Sequence, residues 1–214
     1  MSKAEQLNQL FSEMETADLP LRESSPLIPG EGNPNARILF IGEAGGFNEA
    51  KLKRPFVGRA GQLLNTALTE NGLSRDDVWI TNVVKARPPE NRDPLPEEIE
   101  SYRPYLEREL LIVSPKIIAT LGRFAMNWFL PEAQISRSHG YALSQPSGHI
   151  IFPLYHPAAA LRNGNMMKAF LDDFAKLAQL SRSGFEMTEF ELGKSKDDSK
   201  NTTVKKQKSL FDSV

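Results

Sequence analysis

Four short segments of the sequence bring together side chains that are capable of chemistry. The side chains are of three kinds: carboxylates, hydrogen-bonding or aromatic groups, and cations. The segments are GEAGG (42–46), TNVVKARPPENRDP (81–94), TLGRFA (120–125) and YHPAAALR (155–162). The residues in or beside them are Glu43 and Glu49; Phe56, Asn82, Asn91 and His156; and Arg54, Arg59, Lys85, Arg87, Arg92 and Arg162.

The glycine-rich stretch GEAGGFNEAKLKRPFVGRAGQ at 42–62 joins an apolar run to a helical pattern. A loop in this position commonly binds phosphate through backbone N–H groups and the start of the next helix. Glu43 and Glu49 would repel a phosphate, so we expect the loop to face a different chemical group. The sequence contains neither GxxxxGK[ST] nor GxGxxG nor GxSxG, which argues against nucleotide hydrolysis, dinucleotide binding and a serine nucleophile.

These residue types fit the recognition of a base and the cleavage of its bond to a sugar. The Asn82 amide can both donate to and accept from the edge of a pyrimidine, and the Phe56 ring can stack on its face. A histidine such as His156 can stabilise charge on the carbonyl oxygen of a departing base, which is worth about 3 kcal/mol of barrier. A carboxylate can steady an electron-deficient sugar or orient a water, which would explain Glu43 in the loop.

The spacing of apolar residues predicts an α/β domain. Short β-rich runs alternate with helical patterns, so the strands need crossover connections. The predicted fold is three-layer αβα around a central, mainly parallel four-stranded sheet, with the four segments meeting at its carboxyl edge. The predicted strands are 36–42, 78–84, 116–122 and 149–155, and the predicted helices lie at 1–16, 60–71, 96–111, 122–130 and 168–180.

Composition limits the class of protein. With 214 residues, 40% of them hydrophobic, the chain can bury one domain-sized core, and it has no apolar run long enough to span a membrane. We expect a cytoplasmic monomer, because the N-terminal segment lacks the pattern of a signal peptide. Without cysteines and with three scattered histidines, the sequence predicts no metal and no cofactor. A net charge of −1 leaves any DNA binding to a local basic face.

Taken in order, the motifs resemble those of the family 4 uracil-DNA glycosylases over roughly residues 30–180. They are GEAGG, RPFVGRAGQLLN, ITNVVKARPPENRDPLPEE, LGRFA and YHPAAALR. The resemblance implies a DNA repair enzyme that flips uracil out of DNA and hydrolyses its N-glycosidic bond, leaving an abasic site. It implies catalytic roles for Glu43, Glu49 and His156, uracil binding by Gly42, Ala44, Gly45, Phe56, Asn82 and Asn91, and DNA binding by Arg59, Lys85, Arg87, Leu161 and Arg162.

The sequence departs from the family's pattern at three points. The family binds an iron–sulfur cluster through cysteines, and no such cluster can form here. Gly45 replaces the usual proline and is expected to widen the backbone angles open to the loop. Ala160 stands where a bulky wedge residue is usual, which leaves Leu161 or Arg162 to fill the vacated base stack. The residues at the expected cysteine positions are Arg22, Ser25, Ala86 and Tyr102.

Each of these residues also has an ordinary structural interpretation. Phe56 could pack in the core, Asn82 could end a strand, and the two glutamates could complement a helix dipole. Two other functions also fit the sequence. One is a related enzyme of the same superfamily that acts on deaminated or mismatched purines, or on uracil in duplex DNA. The other is a non-catalytic, nucleic-acid-binding adaptor. The occurrence of every motif in order favours uracil excision.

The C-terminal segment differs in composition from the rest of the chain. Beyond about Glu191 it is polar, which predicts a disordered tail at 191–214 after a glycosylase-like domain at 1–190. Within the tail, QKSLF at 207–211 resembles the peptide with which bacterial repair proteins dock on the sliding clamp. We therefore expect Gln207, Leu210 and Phe211 to bind a bacterial sliding clamp.

Overall fold

The computed structural model describes residues 1–183, which form alternating strands and helices. No helix within this range is long and apolar enough to cross a membrane. In chain order, the elements are α1 Lys3–Thr16, β1 Glu31–Gly32, β2 Ile38–Gly42, α2 Phe47–Leu52, α3 Arg59–Glu70, β3 Trp79–Asn82, α4 Pro96–Val113, β4 Ile117–Leu121, α5 Arg123–Phe129, α6 Ile135–Ser138, β5 Leu143–Ser144, β6 Ile150–Leu154, α7 Pro157–Ala160 and α8 Gly164–Arg182. Short 3₁₀ helices lie at Arg75–Asp77 and Pro89–Asn91.

The sheet has six strands in the order β1-β3-β2-β4-β6-β5. The four strands predicted from the sequence form its continuous parallel centre. The predicted count of four is wrong, because β1 and β5 add an antiparallel strand at each edge. Each of these edge strands has only two residues, which is too short to show an alternating apolar pattern.

Helices cover both faces of the sheet, as the αβα prediction requires. Successive strand residues point to opposite faces, so Leu39 and Ile41 pack on one side while Ile38 and Phe40 pack on the other. The first side is closed by α1, α4 and α5, and the second by α3, α7 and α8. All five residues of each of β2, β4 and β6 are buried, as expected for a sheet covered on both faces.

The carboxyl ends of the parallel strands lie side by side. Gly42 at the end of β2 pairs in register with Asn82 at the end of β3, and Leu121 of β4 pairs with Leu154 of β6. The four predicted segments follow these ends directly, so the register itself brings their loops together. The predicted boundary at residue 190 and the predicted clamp motif lie outside the described residues.

Candidate active site

A cleft of about 300 Å³ opens at the carboxyl edge of the sheet. Three of the predicted segments and the stretch after α2 contribute its walls. The β2 loop supplies Glu43, Ala44, Gly45, Gly46 and Glu49. The other walls come from Phe56 and Ala60, from Asn82, Pro88, Asn91 and Arg92, and from His156, Ala158 and Arg162. The structure thus gathers every predicted catalytic and uracil-binding residue at one cleft, with Gly42 directly behind the Phe56 ring.

Asn82 lies at the bottom of the cleft with its side-chain oxygen unsatisfied. The residue is 1% exposed, and its Oδ1 has no hydrogen-bond partner among the described residues. A buried amide without a partner is costly, so a ligand that hydrogen-bonds there would recover that free energy. A Cβ atom on Gly42 would lie within 2.6 Å of the Phe56 ring and would also overlap the Asn82 oxygen. Glycine at position 42 is therefore needed for these two side chains to occupy the cleft.

Phe56 and His156 form one aromatic side of the cleft. Their ring centroids are 5.8 Å apart and the ring planes are inclined by 35°. Phe56 adopts a left-handed backbone conformation with φ of +52°, which is unfavourable for a bulky residue. Such a conformation persists only where surrounding contacts stabilise it. Here, hydrogen bonds that Glu49 and Arg75 form with the backbone around Phe56 do so.

Glu49 holds the Phe56 turn from the cleft side. Its Oε1 accepts hydrogen bonds from the backbone N–H groups of Val57, at 2.9 Å, and Gly58, at 2.7 Å. One carboxylate oxygen is thus committed to fixing the segment that carries Phe56. Glu49 also interacts electrostatically with His156. The geometry indicates a positioning role for Glu49, and the catalytic role inferred from the sequence stays a prediction.

Arg75 holds the same turn from the other side, and its role was missed in the sequence analysis. Its guanidinium donates to the backbone oxygens of Pro55, at 2.8 Å, and Phe56, at 3.1 Å. Glu31 forms an ion pair with Arg75 and so orients it. Arg75 lies in a 3₁₀ turn outside the four motifs. The only available signal was a charged residue in the short connection before β3.

Glu43 lines the cleft at the end of β2 and is half-buried. Burial raises the pKa of the Glu43 carboxyl to about 7, with a further rise from Asp93 and an opposing effect from Arg123. Its ionised form can therefore take a proton from a water near neutral pH, as a general base requires. The sequence predicted a carboxylate at this place but not its raised pKa, and the role of Glu43 toward a sugar stays a prediction.

His156 enters the cleft from the residue before α7. Its Nδ1 accepts a hydrogen bond of 3.1 Å from the backbone N–H of Ala158, so the proton of the neutral ring lies on Nε2. Burial lowers the pKa of His156 to about 4, against an opposing effect of Glu49. At pH 7 the ring is neutral and can donate one hydrogen bond from Nε2.

Lys85 does not contact DNA, and the prediction that it does is wrong. The side chain is fully buried and forms an ion pair with Glu109 of α4. Its Nζ also donates to the hydroxyl of Thr81 and, at 2.8 Å, to the backbone oxygen of Asn82. The second Glu109 oxygen accepts from Trp79 Nε1 at 2.8 Å. Lys85 therefore supports the end of β3 from inside the protein.

The other predicted DNA-contacting residues surround the cleft opening. Arg59, Leu161 and Arg162 are exposed, and Arg87 is half-exposed. Neither Arg59 nor Arg162 forms an ion pair within residues 1–183, which leaves both cations accessible to phosphate. Leu161, 37% exposed, follows the short helix that carries Ala158 on the cleft wall. These positions are compatible with DNA binding, and their roles remain predictions.

Gly45 serves a different purpose from the one expected. It has no positive φ, so the loop does not use the wider backbone angles that glycine permits. Instead, the Ile28 side chain packs directly over its Cα, where a Cβ atom would overlap it. The backbone N–H of Gly45 donates to the Ala86 oxygen at 3.3 Å. Glycine thus allows the close approach of Ile28, whose side chain would have to move if residue 45 had a Cβ atom.

Ordinary protein packing fills the positions where the resembled family has its cluster. Ala86 and Tyr102 are fully buried in one apolar cluster, and the Tyr102 hydroxyl donates to the Pro20 oxygen at 2.9 Å. Ser25 accepts a hydrogen bond of 2.9 Å from the backbone N–H of Arg87. These side chains offer no thiolate and do not fit an iron–sulfur cluster. Among residues 1–183, no group of three His, Cys, Asp or Glu side chains is arranged to hold a metal ion.

Comparison with known proteins gives the family. A profile of the Uracil DNA glycosylase superfamily matches residues 29–178. Type-4 uracil-DNA glycosylases of Sulfurisphaera tokodaii and Saccharolobus solfataricus are 48% and 42% identical, over 72% and 71% of this chain and 74% of each relative. That of Archaeoglobus fulgidus is 43% identical over 72% of this chain and 81% of the relative. The chain belongs to the uracil-DNA glycosylase superfamily, which confirms the resemblance found in the motifs.

Proposed function

We propose that this chain is a DNA repair enzyme that binds uracil flipped out of DNA and hydrolyses its N-glycosidic bond. The observation that carries the proposal is the buried, unpartnered side-chain oxygen of Asn82, a residue that lines the cleft together with Phe56 and His156. Arg162 lines the cleft, and the exposed Arg59 precedes the lining residue Ala60. A flipped nucleotide would enter base first, with its phosphates left at these cations.

Asn82 and Phe56 would recognise the base. The amide can accept from the uracil N3–H and donate to the adjacent carbonyl oxygen, while Phe56 stacks on the ring. Cytosine presents the opposite hydrogen-bonding pattern at this edge, so it would leave the amide imperfectly paired. Such mismatches at a buried polar group give strong discrimination.

His156 and Glu43 would act on the bond. As the bond between N1 and C1′ breaks, its electron pair leaves with uracil, and Nε2–H of neutral His156 stabilises the negative charge on the carbonyl oxygen. Positive charge develops on the sugar, where the Glu43 carboxylate is favourable. Glu43 takes a proton from a water whose oxygen bonds to C1′. The products are the uracil anion, which takes up a proton from solvent, and an abasic site, and Glu43 returns its proton to solvent.

The direct test is incubation of the purified protein with a uracil-containing oligonucleotide, followed by alkali, which cleaves the strand at an abasic site. We expect cleavage at uracil and none in the matched thymine oligonucleotide. An oligonucleotide containing hypoxanthine tests the rival specificity for deaminated purines. If the protein binds DNA but no base is released, the non-catalytic adaptor is the correct alternative.

The C-terminal tail is proposed to tether the enzyme to a bacterial sliding clamp. In the sequence, Gln207, Leu210 and Phe211 have the spacing of a clamp-binding peptide, and attachment to the clamp would raise the local concentration of enzyme at newly copied DNA. We expect the double variant Leu210→Ala/Phe211→Ala to lose clamp binding and to retain its activity on a free oligonucleotide. Equal clamp binding by the double variant would refute this role.

A further inference from the structure

Phe47 is an exposed aromatic residue at the edge of the cleft and belongs to none of the motifs discussed above. It is 61% exposed, although phenylalanine is usually buried. It is the first residue of α2, and the preceding Gly46 lines the cleft. Phe47 itself does not line the cleft, but it follows a lining residue directly in the sequence.

Arg87 is fixed against this ring. The Cζ atom of Arg87 lies 5.3 Å from the centroid of Phe47, within the range of a cation–π contact. The Arg87 side chain donates through Nε to Asn91 Oδ1 at 2.8 Å, and Asn91 lines the cleft. The backbone N–H of Arg87 donates to the Ser25 hydroxyl oxygen. The ring and the guanidinium thus form a pre-organised pair at the cleft edge, which we call the Phe47 platform.

We propose that the Phe47 platform binds an unpaired base next to the uracil in single-stranded DNA, by stacking on Phe47 with Arg87 near the phosphate. An exposed aromatic face beside a cation is the combination with which proteins bind single strands without reading their sequence. In a duplex, the neighbouring base is already stacked and paired, so stacking on Phe47 would add little binding free energy there. The inference rests on the proposed function, since it presumes uracil in the adjacent cleft.

The chain offers a matched control on the same helix. Leu52 ends α2 and is 56% exposed, but it has no aromatic ring on which a base could stack. Leu52→Ala therefore removes a similar exposed apolar side chain from the same helix. Phe47→Trp provides the conservative variant, because an indole stacks on a base at least as well as a phenyl ring.

The first measurement uses three single-stranded oligonucleotides that contain uracil. One has normal bases on both sides of the uracil, one has an abasic spacer on its 5′ side, and one has the spacer on its 3′ side. For the wild type, we expect one spacer position to raise KM about tenfold, with kcat unchanged. Phe47→Ala should raise KM about tenfold on the normal strand and lose sensitivity to the spacer. Phe47→Trp should resemble the wild type, as should Leu52→Ala. In duplex DNA, Phe47→Ala should have less than a twofold effect.

A second measurement needs no catalysis, and so separates this inference from the proposed function. An oligonucleotide with 2-aminopurine next to a 2′-fluoro-2′-deoxyuridine, whose glycosidic bond resists hydrolysis, should lose fluorescence on binding the wild type and keep it with Phe47→Ala. If quenching depends on Phe47 but no uracil is released, the platform stands and the proposed function fails. If uracil is released while Phe47→Ala behaves like Leu52→Ala, or keeps the full spacer penalty, the platform is overturned.

Discussion

Lys85 donates a hydrogen bond of 2.8 Å to the backbone oxygen of Asn82, and so joins the base-reading residue to the ion pair between Lys85 and Glu109. The hydrogen bond is buried, and it acts on the last residue of β3. Glu109 belongs to α4, on one outer layer of the fold, while the Asn82 side chain faces the cleft. The position of Asn82 therefore depends on packing between the sheet and a helix that does not itself line the site.

Removing Lys85 should strongly destabilise the protein. Lys85→Met leaves the Glu109 carboxylate buried without its cation, and such a change costs about 3–5 kcal/mol. In Lys85→Met/Glu109→Gln, both charges are absent and the glutamine oxygen can still accept from Trp79 Nε1, so we expect denaturant unfolding to show recovery of most of that loss.

Uracil release distinguishes a positioning role of Lys85 from a purely structural one. If Lys85 positions Asn82, the double variant should remain at least tenfold slower in single-turnover uracil release despite its recovered stability. Recovery of both stability and rate would show that the ion pair only supports the fold.

The rate of uracil release should rise with pH and level off above about 7. Glu43 must be ionised to accept the proton from water, and burial raises its pKa to about 7. His156, with a pKa of about 4, stays neutral throughout this range. Single-turnover rates from pH 5 to 9 would show one rising limb with a midpoint near 7. A rate that does not change across this range would contradict the role of Glu43 as a base.

Glu43→Gln should stabilise the protein while lowering its activity. A carboxyl whose pKa is raised on folding binds its proton more tightly in the folded state, so its contribution to stability is lost as pH rises from about 4.5 to about 7. Glutamine avoids this loss. Because Glu43 is only partly buried, we expect a gain of about 1 kcal/mol at pH 8, or roughly 2–4 °C in Tm. Calorimetry should find little difference near pH 4.5.

The sequence predicted the centre of the fold and the residues of the cleft but missed the contacts that support them. β2, β3, β4 and β6 have strong apolar patterns, whereas β1 and β5 have two residues each and give no signal. Lys85 looked like a DNA contact because it lies among arginines. Its partner Glu109 is 24 positions away, and no local pattern connects them. The one local signal was apolar neighbours on both sides of Lys85, at Val84 and Ala86.

Tyr102→Phe should reduce stability without affecting catalysis. The hydroxyl of Tyr102 donates to the Pro20 oxygen, and losing this hydrogen bond costs about 1 kcal/mol, or about 2–4 °C in Tm. Tyr105→Phe, on the same helix, is the matched control, because the Tyr105 hydroxyl has no hydrogen bond among the described residues. Similar melting temperatures for the two variants would show that the Tyr102 hydroxyl has no part in holding the N-terminal segment.

The purified protein should be colourless and should stay active after treatment with a chelator. The positions where the resembled family has cysteines are filled by side chains that cannot ligate a cluster, and the proposed reaction needs only a water and protein groups. Visible absorbance spectroscopy and uracil release before and after chelation check this. Activity that is lost with the chelator and restored by an added metal would contradict it.

The most direct test of the proposed site is the single-turnover rate of uracil release by His156→Ala and Asn82→Ala, compared with the wild type. His156 would stabilise the departing base and Asn82 would bind it, and neither belongs to the two apolar clusters that hold the helices on the sheet. We predict that each variant unfolds within a few degrees of the wild type and releases uracil about 10²–10³-fold more slowly. Rates within a few-fold of the wild type in both variants would contradict the assignment of this cleft as the active site.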